Sequence, residues 1–308
     1  MLIFFINPFL ISLFIRNKKF INEVYFNHII PIMEVLKASG KEFSCFSSRE
    51  ENTFLYDDIF SSENPYRSLN LSNNGFLVIK NVITKEQVKL ARDKYFSLFQ
   101  NGEYKKEKGD WVHLNSHPDP HGCNRHPAKE FLKSDEFHSI VSSKKLFKVA
   151  KIILNSDKTT LCPRMIVRSF SKLSERCTYA HRDKDYFFSP NPMNVATCWI
   201  PLGSVGVDNG QLIYLLQSHK DESFFDKKVT KDKIISKYLE TLSKNTNLKW
   251  YRPIIEEGDV IFHSLEIIHA SFDSNSILPR LSIDLRYSSS IKDEDPRWKN
   301  AWRGDDGL

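Results

Sequence analysis

Two histidines and one aspartate, lying in separated segments of the chain, could together hold a metal ion. One residue separates His181 from Asp183, and His269 lies far downstream. Two imidazoles and one carboxylate can bind Fe(II) and leave coordination positions open, which is the ligand set of non-haem iron oxygenases. Residues i and i+2 of an extended segment project to the same side, so His181 and Asp183 can reach one metal while Arg182 points away. The third ligand must then come from another strand.

The residues around His269 predict β-structure. Residues 257–258 favour a turn, residues 260–262 form an apolar strand, and His269 opens a further extended stretch. Residues 281–287 alternate between apolar and polar side chains, which predicts a half-buried strand. Arg280, eleven residues after His269, therefore stands at the start of a strand close to that histidine.

Several separated segments resemble the phytanoyl-CoA dioxygenase family of Fe(II)- and 2-oxoglutarate-dependent oxygenases. They are residues 181–183, 208–220 and 258–271 followed by Arg280, and their order and spacing are similar to the family's. The resemblance runs from about residue 75 to residue 287. It implies a chain that is mainly β with flanking helices, folded as a double-stranded β-helix, the cupin-like jelly-roll barrel, with iron in its mouth.

The resemblance also implies roles for individual residues. His181, Asp183 and His269 would be the iron ligands, with 2-oxoglutarate and O2 as co-substrates. Arg280 would bind the far carboxylate of 2-oxoglutarate, because a guanidinium offers two parallel donors and stays charged when desolvated. Three further positions are similar to family positions that line the co-substrate: Ser271, Trp199 and Met165.

The chemistry implied by these roles is hydroxylation. The keto-acid end of 2-oxoglutarate would chelate the iron, and its oxidative decarboxylation by O2 would release succinate and CO2. The oxidant so produced would attack a C–H bond of a small organic molecule. Related halogenases resemble this family but carry Gly or Ala at the carboxylate position, so the presence of Asp183 argues against halogenation.

Other interpretations of the same residues remain open. Arg280 could pair with Asp284 or Asp273 on a solvated face, and His263 also follows an apolar run and competes as the distal ligand. The chain could be a non-catalytic small-molecule-binding protein of the same fold, or a zinc hydrolase that uses the same triad. Arg280 and Ser271 favour the oxygenase, because neither alternative needs a clamp for a keto acid.

Residues 111–126 are rich in histidine and proline. The histidine spacing suggests a second metal site, yet the prolines would break any helix that could align the imidazoles, so a polar loop is the better interpretation. Loops over a barrel mouth often carry substrate contacts, which makes Arg125 and His126 candidates for the substrate side. The four histidines of this segment are His113, His117, His121 and His126.

Length and composition agree with one catalytic domain. A chain of 308 residues with 41% hydrophobic residues can bury a large core. The formal net charge of +6 is spread over lysine pairs and forms no basic stripe with interleaved aromatic residues, which argues against nucleic acid as a partner. Five cysteines without C-x-x-C spacing predict free thiols in a cytoplasmic protein.

The ends of the chain are predicted to lie outside the catalytic domain. Residues 1–15 are apolar but shorter than the roughly 20 residues of a membrane helix, and no positive charge precedes them as in a secretory signal. A weak membrane anchor is one interpretation of this run. We favour a start-site artefact, with translation beginning near Met33 and residues 1–32 as an untranslated extension. Residues 33–74 are predicted to be an irregular arm, residues 75–290 the oxygenase domain, and residues 291–308 a tail that closes over the site or docks on the domain.

Three helices are predicted around the barrel. Thr84 and Gln87 form a capping-box signature at the start of the first helix. The second is predicted over residues 144–154. Apolar residues at helical spacing predict the third near residues 230–243.

Overall fold

The structure is a computed structural model that describes residues 32–38, 40–48, 52–61, 69–119, 123, 125–173, 178–187, 191–224, 235–236, 238–290 and 296–301. No helix in these ranges is long and apolar enough to cross a membrane. The cysteines that they include are all free thiols, as predicted: Cys45, Cys123, Cys162 and Cys198.

Strands dominate the described part of the chain, and most of the helices lie between the early strands. The strands are β1 (Ile32–Ala38), β2 (Lys41–Ser48), β3 (Thr53–Leu55), β4 (Phe76–Lys80), β5 (Tyr104–Glu107), β6 (Asp110–His113), β7 (Thr160–Leu161), β8 (Ile166–Phe170), β9 (Val195–Pro201), β10 (Leu212–Leu215), β11 (Trp250–Pro253), β12 (Val260–Ser264), β13 (His269–Ser271) and β14 (Arg280–Ser288). The helices are α1 (Tyr56–Ser61), α2 (Leu71–Asn74), α3 (Lys85–Ser97), α4 (Ala128–Phe131), α5 (Asp135–Val141), α6 (Lys144–Leu154) and α7 (Leu239–Thr246).

Two mixed sheets form the body of the protein. The smaller sheet has the strand order β1-β2-β11-β10-β13, and the larger has the order β3-β4-β12-β9-β14-β7 with β8 also paired to β14. Apart from the parallel pairs β2–β11 and β3–β4, neighbouring strands of both sheets are antiparallel. The strands curl around a common interior, which confirms the jelly-roll barrel with flanking helices that the sequence predicted.

Two apolar cores lie on opposite faces of the larger sheet. The outer core packs its strands against α3 to α6, with residues such as Val88, Leu146 and Phe262 fully buried. The inner core joins the two sheets through aromatic side chains, and the rings of Phe76 and Tyr214 stack with centroids 4.5 Å apart. Because successive strand residues point to opposite faces, β4, β9 and β12 each contribute to both cores.

Strand β14 is buried along its whole length, so the prediction of a half-buried strand is wrong. Its apolar residues belong to the outer core. Its polar residues alternate with them and lie on the interior face, where Asp284 is paired with Trp199 and Arg286 with Thr197 of β9. Alternation indicated two different faces, and here the polar face meets the barrel interior instead of solvent.

Strands β1 and β2 form an antiparallel pair that extends the smaller sheet, so the irregular arm predicted from residue 33 is wrong in this part. Strand β2 pairs in parallel with β11, and the Phe43 ring packs 6.2 Å from that of Trp250. Strand β1 lies at the sheet edge, where Met33 and Val35 are 62% and 65% exposed. Apart from Ile32 in β1, the predicted N-terminal extension lies outside the described residues.

Two of the three predicted helices are confirmed, and the third begins later than expected. The Thr84 side chain accepts from the Gln87 amide, and the Gln87 side chain accepts from the Thr84 amide, which completes the capping box of α3. Helix α6 covers the predicted residues 144–154. Helix α7 begins at Leu239, because Ser236 forms a β-bridge with Ala180, while residues 225–234 and 237 lie outside the described residues.

The described part of the C-terminal tail docks beside the barrel. Residues 296–299 form a short 3-10 helix, and Arg297 donates a hydrogen bond of 2.7 Å to the carbonyl of Tyr186. Trp298 is buried and packs on Phe187 with ring centroids 4.8 Å apart. These contacts attach the tail to Tyr186 and Phe187, which follow Asp183 in the chain.

We predict that Gly258→Ala destabilises the protein by about 2 to 3 kcal/mol. Gly258 has a φ of 95°, and an added Cβ would lie 2.3 Å from the carbonyl oxygen of Ile83. Its carbonyl also accepts from the amides of Val82 and Ile83, so the turn cannot move away cheaply. The measurement is urea-induced unfolding followed by circular dichroism.

Two other glycines provide matched controls for this substitution. Gly109 has a φ of 96° but open space where a Cβ would be added, so Gly109→Ala should cost only the backbone strain, about 1 kcal/mol. Gly206 has neither restriction, and Gly206→Ala should leave stability within about 0.5 kcal/mol of wild type. Equal midpoints for the Gly258 and Gly109 variants would contradict the close packing of this turn.

Candidate metal and co-substrate site

The structure brings His181, Asp183 and His269 together. One ligand atom from each residue lies within 4.8 Å of the other two, and the described ranges contain no second group of this kind. The two histidines face each other across an antiparallel bridge, in which the amide of each donates 3.0 Å to the carbonyl of the other. Asp183 starts a 3-10 turn directly afterwards, and its Oδ1 lies 3.8 Å from Nε2 of both histidines. These three atoms outline one face of a metal site.

The backbone fixes which nitrogen of each histidine faces this site. Nδ1 of His181 donates to the carbonyl of Tyr179 at 2.8 Å, and Nδ1 of His269 donates to the carbonyl of Ile267 at 3.1 Å. Burial lowers the pKa of His181 to about 3, with a contribution from nearby His269. Burial together with nearby His263 lowers the pKa of His269 to about 4. Both imidazoles are therefore neutral at pH 7 with Nε2 free to bind a metal.

The two oxygens of Asp183 have different surroundings. Its Oδ2 accepts from Thr197 Oγ1 at 2.6 Å, from Arg286 Nη2 at 2.8 Å and from His263 Nε2 at 3.3 Å. Burial alone would raise the pKa of Asp183, but Arg286 and His263 outweigh it and hold that pKa well below its usual range. The carboxylate is therefore ionised, and only Oδ1 faces the two histidines.

His263 holds Asp183 and is not a member of the triad. Its Nδ1 lies 3.1 Å from the hydroxyl of Tyr214, and its Nε2 contacts the Asp183 carboxylate. With both ring nitrogens bonded to side chains, this histidine is not the distal ligand that the sequence left as an alternative to His269.

Arg182 points away from the metal site, as expected from its place between two ligands. Its Nε and Nη2 each donate to the Asp185 carboxylate at 2.9 Å, and Nη1 donates to the carbonyl of Phe224. The side chain is buried, so this fork holds the turn that carries Asp183.

Arg280 is a buried guanidinium without an acidic partner among the described residues. Its Nη1 donates to the carbonyl of Gly210 at 2.6 Å, and its Nε has no hydrogen-bond partner there. The guanidinium carbon lies 4.5 Å from the ring centre of Phe170 and 5.6 Å from that of Trp199. Burial lowers the pKa of Arg280 to about 9, which still leaves the group charged at pH 7.

The alternative ion pairs of Arg280 are not formed. Asp284 lies 3.3 Å from Nε of Arg168, and Asp273 accepts from the amide of Gly40. A buried charge normally has a partner, so Arg280 fits a ligand carboxylate. Other buried polar atoms on the inner face of β14 also have no hydrogen-bond partner in the described structure, among them Ser282 Oγ and Nε and Nη1 of Arg286. The residues present therefore suit a polar, anionic ligand.

Of the further co-substrate candidates, Trp199 and Ser271 lie near this arrangement and Met165 does not. Trp199 is buried on β9 against Arg280. Ser271 is buried at the end of β13, two residues beyond His269, and its Oγ accepts from the amide of Thr178 at 2.8 Å. Met165 packs against the outer core, on the other side of the sheet from Trp199, and its co-substrate role stays a prediction without support from these contacts.

The two substrate-side candidates have contacts of their own outside the triad. The Arg125 side chain is 85% exposed and pairs with Asp119 at 3.1 Å. His126 is buried, its Nδ1 accepts from the Ala128 amide, and its ring packs 5.5 Å from that of Phe99. Their substrate-side roles stay predictions.

The histidine-rich segment begins at the end of a strand, and its described residues after His113 form a loop, as predicted. His113 belongs to β6, which pairs with β5, and its ring stacks on that of Tyr104. His117 packs against His126, while His121 lies outside the described residues. No metal-binding group forms among the described residues of this segment.

Sequence reasoning missed two residues that hold the metal carboxylate, Arg286 and Thr197. Thr197 is a polar residue in the largely apolar strand β9, two residues before Trp199, and Arg286 lies on the polar face of β14, six residues after Arg280. Strand residues at even spacing share a face, so Thr197 lies on the same face as Trp199 and Arg286 on the same face as Arg280. This spacing could have indicated both residues from the sequence.

Comparison with known proteins gives one family match and two similar folds. The family model described as phytanoyl-CoA dioxygenase matches residues 71–281, and no curated protein matches. A structure of the epimerase SnoN with Fe3+, alpha ketoglutarate and nogalamycin RO is 16% identical, with a TM-score of 0.50 over 71% of this chain and 82% of that one. The carbocyclase SnoK from nogalamycin biosynthesis is also 16% identical, with a TM-score of 0.50 over 74% and 84%.

The similarity to these two structures is a similarity of fold, and the family match covers more than half of the chain. The jelly-roll barrel, the ligand triad and this match lead to the same assignment. The chain belongs to the phytanoyl-CoA dioxygenase family of Fe(II)- and 2-oxoglutarate-dependent enzymes.

Proposed function

We propose that this protein is a dioxygenase that hydroxylates a C–H bond of a small organic molecule, with Fe(II) as cofactor and 2-oxoglutarate and O2 as co-substrates. Succinate and CO2 are the other products. The observation that carries the proposal is buried Arg280, a charged guanidinium without a carboxylate partner among the described residues, on the strand that also holds Asp183 through Arg286. A dicarboxylic keto acid would satisfy this arginine with its far end.

The triad residues would hold Fe(II) through Nε2 of His181, Oδ1 of Asp183 and Nε2 of His269. The Nδ1 atoms are engaged with backbone carbonyls and Oδ2 with three donors, so these three atoms are the ones left for a metal. Iron bound in this way would couple the decarboxylation of 2-oxoglutarate to the activation of O2.

Arg280 would bind and orient the co-substrate. The Gly210 carbonyl and the Phe170 ring already hold its guanidinium in place, so binding immobilises little additional side chain. The rings of Phe170 and Trp199 would also exclude water from the new ion pair and thereby strengthen it. Ser271 would lie on the same side, beyond His269.

The other functional classes account for fewer of these observations. A zinc hydrolase needs a general base beside the metal-bound water, and His263 is already committed to Asp183 and Tyr214. A binding protein without turnover has no need of three metal ligands whose pKa values favour the metal-binding form. The substrate, a small organic molecule, and the cytoplasmic location stay predictions.

We predict that anaerobic protein with Fe(II) develops the weak visible charge-transfer band of an iron-bound keto acid when titrated with 2-oxoglutarate. His269→Ala should abolish the band, because it removes a ligand. Arg280→Ala should raise the 2-oxoglutarate dissociation constant about tenfold to a hundredfold, since a charged hydrogen bond contributes about 1.5 to 3 kcal/mol. Absorption spectroscopy measures both effects.

Arg252→Ala is the matched control for this titration. Arg252 is another partly buried arginine, paired with Glu34 at 2.7 Å on β11, outside the inner core. Arg252→Ala should leave the 2-oxoglutarate dissociation constant within about twofold of wild type. Fully iron-loaded wild-type protein that gives no band would overturn the oxygenase proposal.

The reaction type has its own test, which uses succinate release to screen small organic molecules in air. A substrate that stimulates succinate release should yield a product heavier by one oxygen atom, read by mass spectrometry. A product of unchanged mass, or one that has lost two hydrogens, would keep the cofactor and overturn hydroxylation in favour of epimerisation or ring closure.

We also predict that Co(II), a redox-inert substitute, binds with nearly the same affinity at pH 7 and at about pH 5. With pKa values of about 3 and 4, His181 and His269 carry no proton over this range, so none competes with the metal. Histidines with an ordinary pKa near 6.5 would weaken binding about tenfold each per pH unit below that value. A steep loss of affinity between pH 7 and pH 5 in visible Co(II) titrations would contradict the lowered pKa values.

A further inference from the structure

Three donors converge on one oxygen of the metal-binding carboxylate. Thr197, Arg286 and His263 all bond to Oδ2 of Asp183, at 2.6, 2.8 and 3.3 Å. Oδ1 instead lies 3.8 Å from Nε2 of His181 and of His269. The carboxylate is therefore held in an orientation that offers one oxygen to a metal and keeps the other turned away.

Arg286 is the charged member of this trio, and the fold determines where it reaches. It is paired in register with Thr197, so the two side chains approach Oδ2 from neighbouring strands. Its guanidinium carbon lies 5.0 Å from the ring centre of Trp298 in the docked tail. Nε and Nη1 of Arg286 are buried without hydrogen-bond partners in the described structure, so one strong bond and one aromatic surface orient the side chain.

We infer that Arg286, seated on Trp298, is a positioning residue that keeps Asp183 a one-oxygen metal ligand. This inference rests on the proposed function. A metal ion held by one atom from each triad residue would keep coordination positions open for the co-substrates. A carboxylate free to rotate would give both oxygens to the metal and take one of those positions from the co-substrate.

Arg286 contributes the largest share of this orientation. All three bonds are charge-assisted because their acceptor is an ionised carboxylate, and Arg286 adds the permanent charge of a guanidinium to its 2.8 Å bond. Thr197 and His263 still bond to Oδ2 when Arg286 is replaced, so the fold and metal binding should survive while the orientation loosens.

The main alternative is that Arg286 only neutralises a buried negative charge. Arg286→Lys separates the two roles, because an ammonium keeps the charge but lacks the planar group that lies against Trp298 and aims one donor at Oδ2. Arg164 supplies a matched control for packing. It is also buried, and its guanidinium carbon lies 5.5 Å from the ring centre of Trp298, yet it has no bond to Asp183 in the described structure.

The experiment compares wild type with Arg286→Met, Arg286→Lys, Trp298→Leu and Arg164→Met as full-length protein. Co(II) affinity and the Co(II) visible spectrum are recorded first, because band position and intensity report the number of ligand atoms without any co-substrate. The 2-oxoglutarate dissociation constant is then measured anaerobically with Fe(II).

We expect both Arg286 variants to bind Co(II) within about fivefold of wild type, with a changed spectrum, and to need at least about tenfold more 2-oxoglutarate. Trp298→Leu should shift both readouts in the same direction by a smaller factor. Arg164→Met should match wild type in both. If Arg286→Met does not fold, Arg286→Lys carries the test alone.

Two results would overturn the inference. One is a Co(II) spectrum and 2-oxoglutarate affinity in the Arg286 variants equal to those of Arg164→Met. The other is full restoration by Arg286→Lys of a loss seen in Arg286→Met, which would leave only charge neutralisation. Failure of the proposed function is distinguishable, because wild type would then show no 2-oxoglutarate band while the Co(II) comparison still reports on Asp183.

Discussion

A buried, ionised carboxylate in the interior of an apolar barrel is the constraint on which the site depends. Asp183 is 4% exposed and lies close to an inner core of aromatic and aliphatic side chains. Isolated burial of such a charge would cost far more than a single hydrogen bond returns. Three donors on Oδ2, one of them charged, make the ionised form stable before any metal binds. The site is thus organised in advance for a cation, with two neutral imidazoles completing it.

Strand β14 meets this constraint through strand alternation. One face supplies Leu281, Ile283 and Leu285 to the outer core, and the other supplies polar groups to the interior. Arg280 and Arg286 lie on this second face six residues apart, so they serve opposite ends of the same site. A one-residue shift in register would exchange the two faces, placing both arginines in the outer core. Stability and function therefore depend on the same pairing of β14 with β9.

Local patterns in the sequence predicted the parts of the fold and site that depend on short spacing. The His-x-Asp pair, the Thr84 capping box and the helix over residues 144–154 each follow from neighbours a few positions apart. Long-range pairing is what such patterns lack. The pairing of β1 with β2 is itself local, but the sheet that β2 joins is formed with β11, some 200 residues downstream. Alternation in β14 likewise could not distinguish a solvent-facing polar face from one that lines a site.

The two arginines of β14 differ in one respect that decides where an anion can bind. Arg286 forms an ion pair with Asp183, so the charge of Arg286 is compensated within the protein. Arg280 has aromatic rings and a carbonyl around it but forms no ion pair with an acid among the described residues, and Asp284 acts on it only from a distance. Burial lowers the pKa of Arg280 to about 9, and an arriving carboxylate would relieve that penalty. A molecule with one carboxylate for Arg280 and a keto acid for the metal would match this division of charge, so under the proposed function the same strand would orient the metal-binding carboxylate and bind the co-substrate.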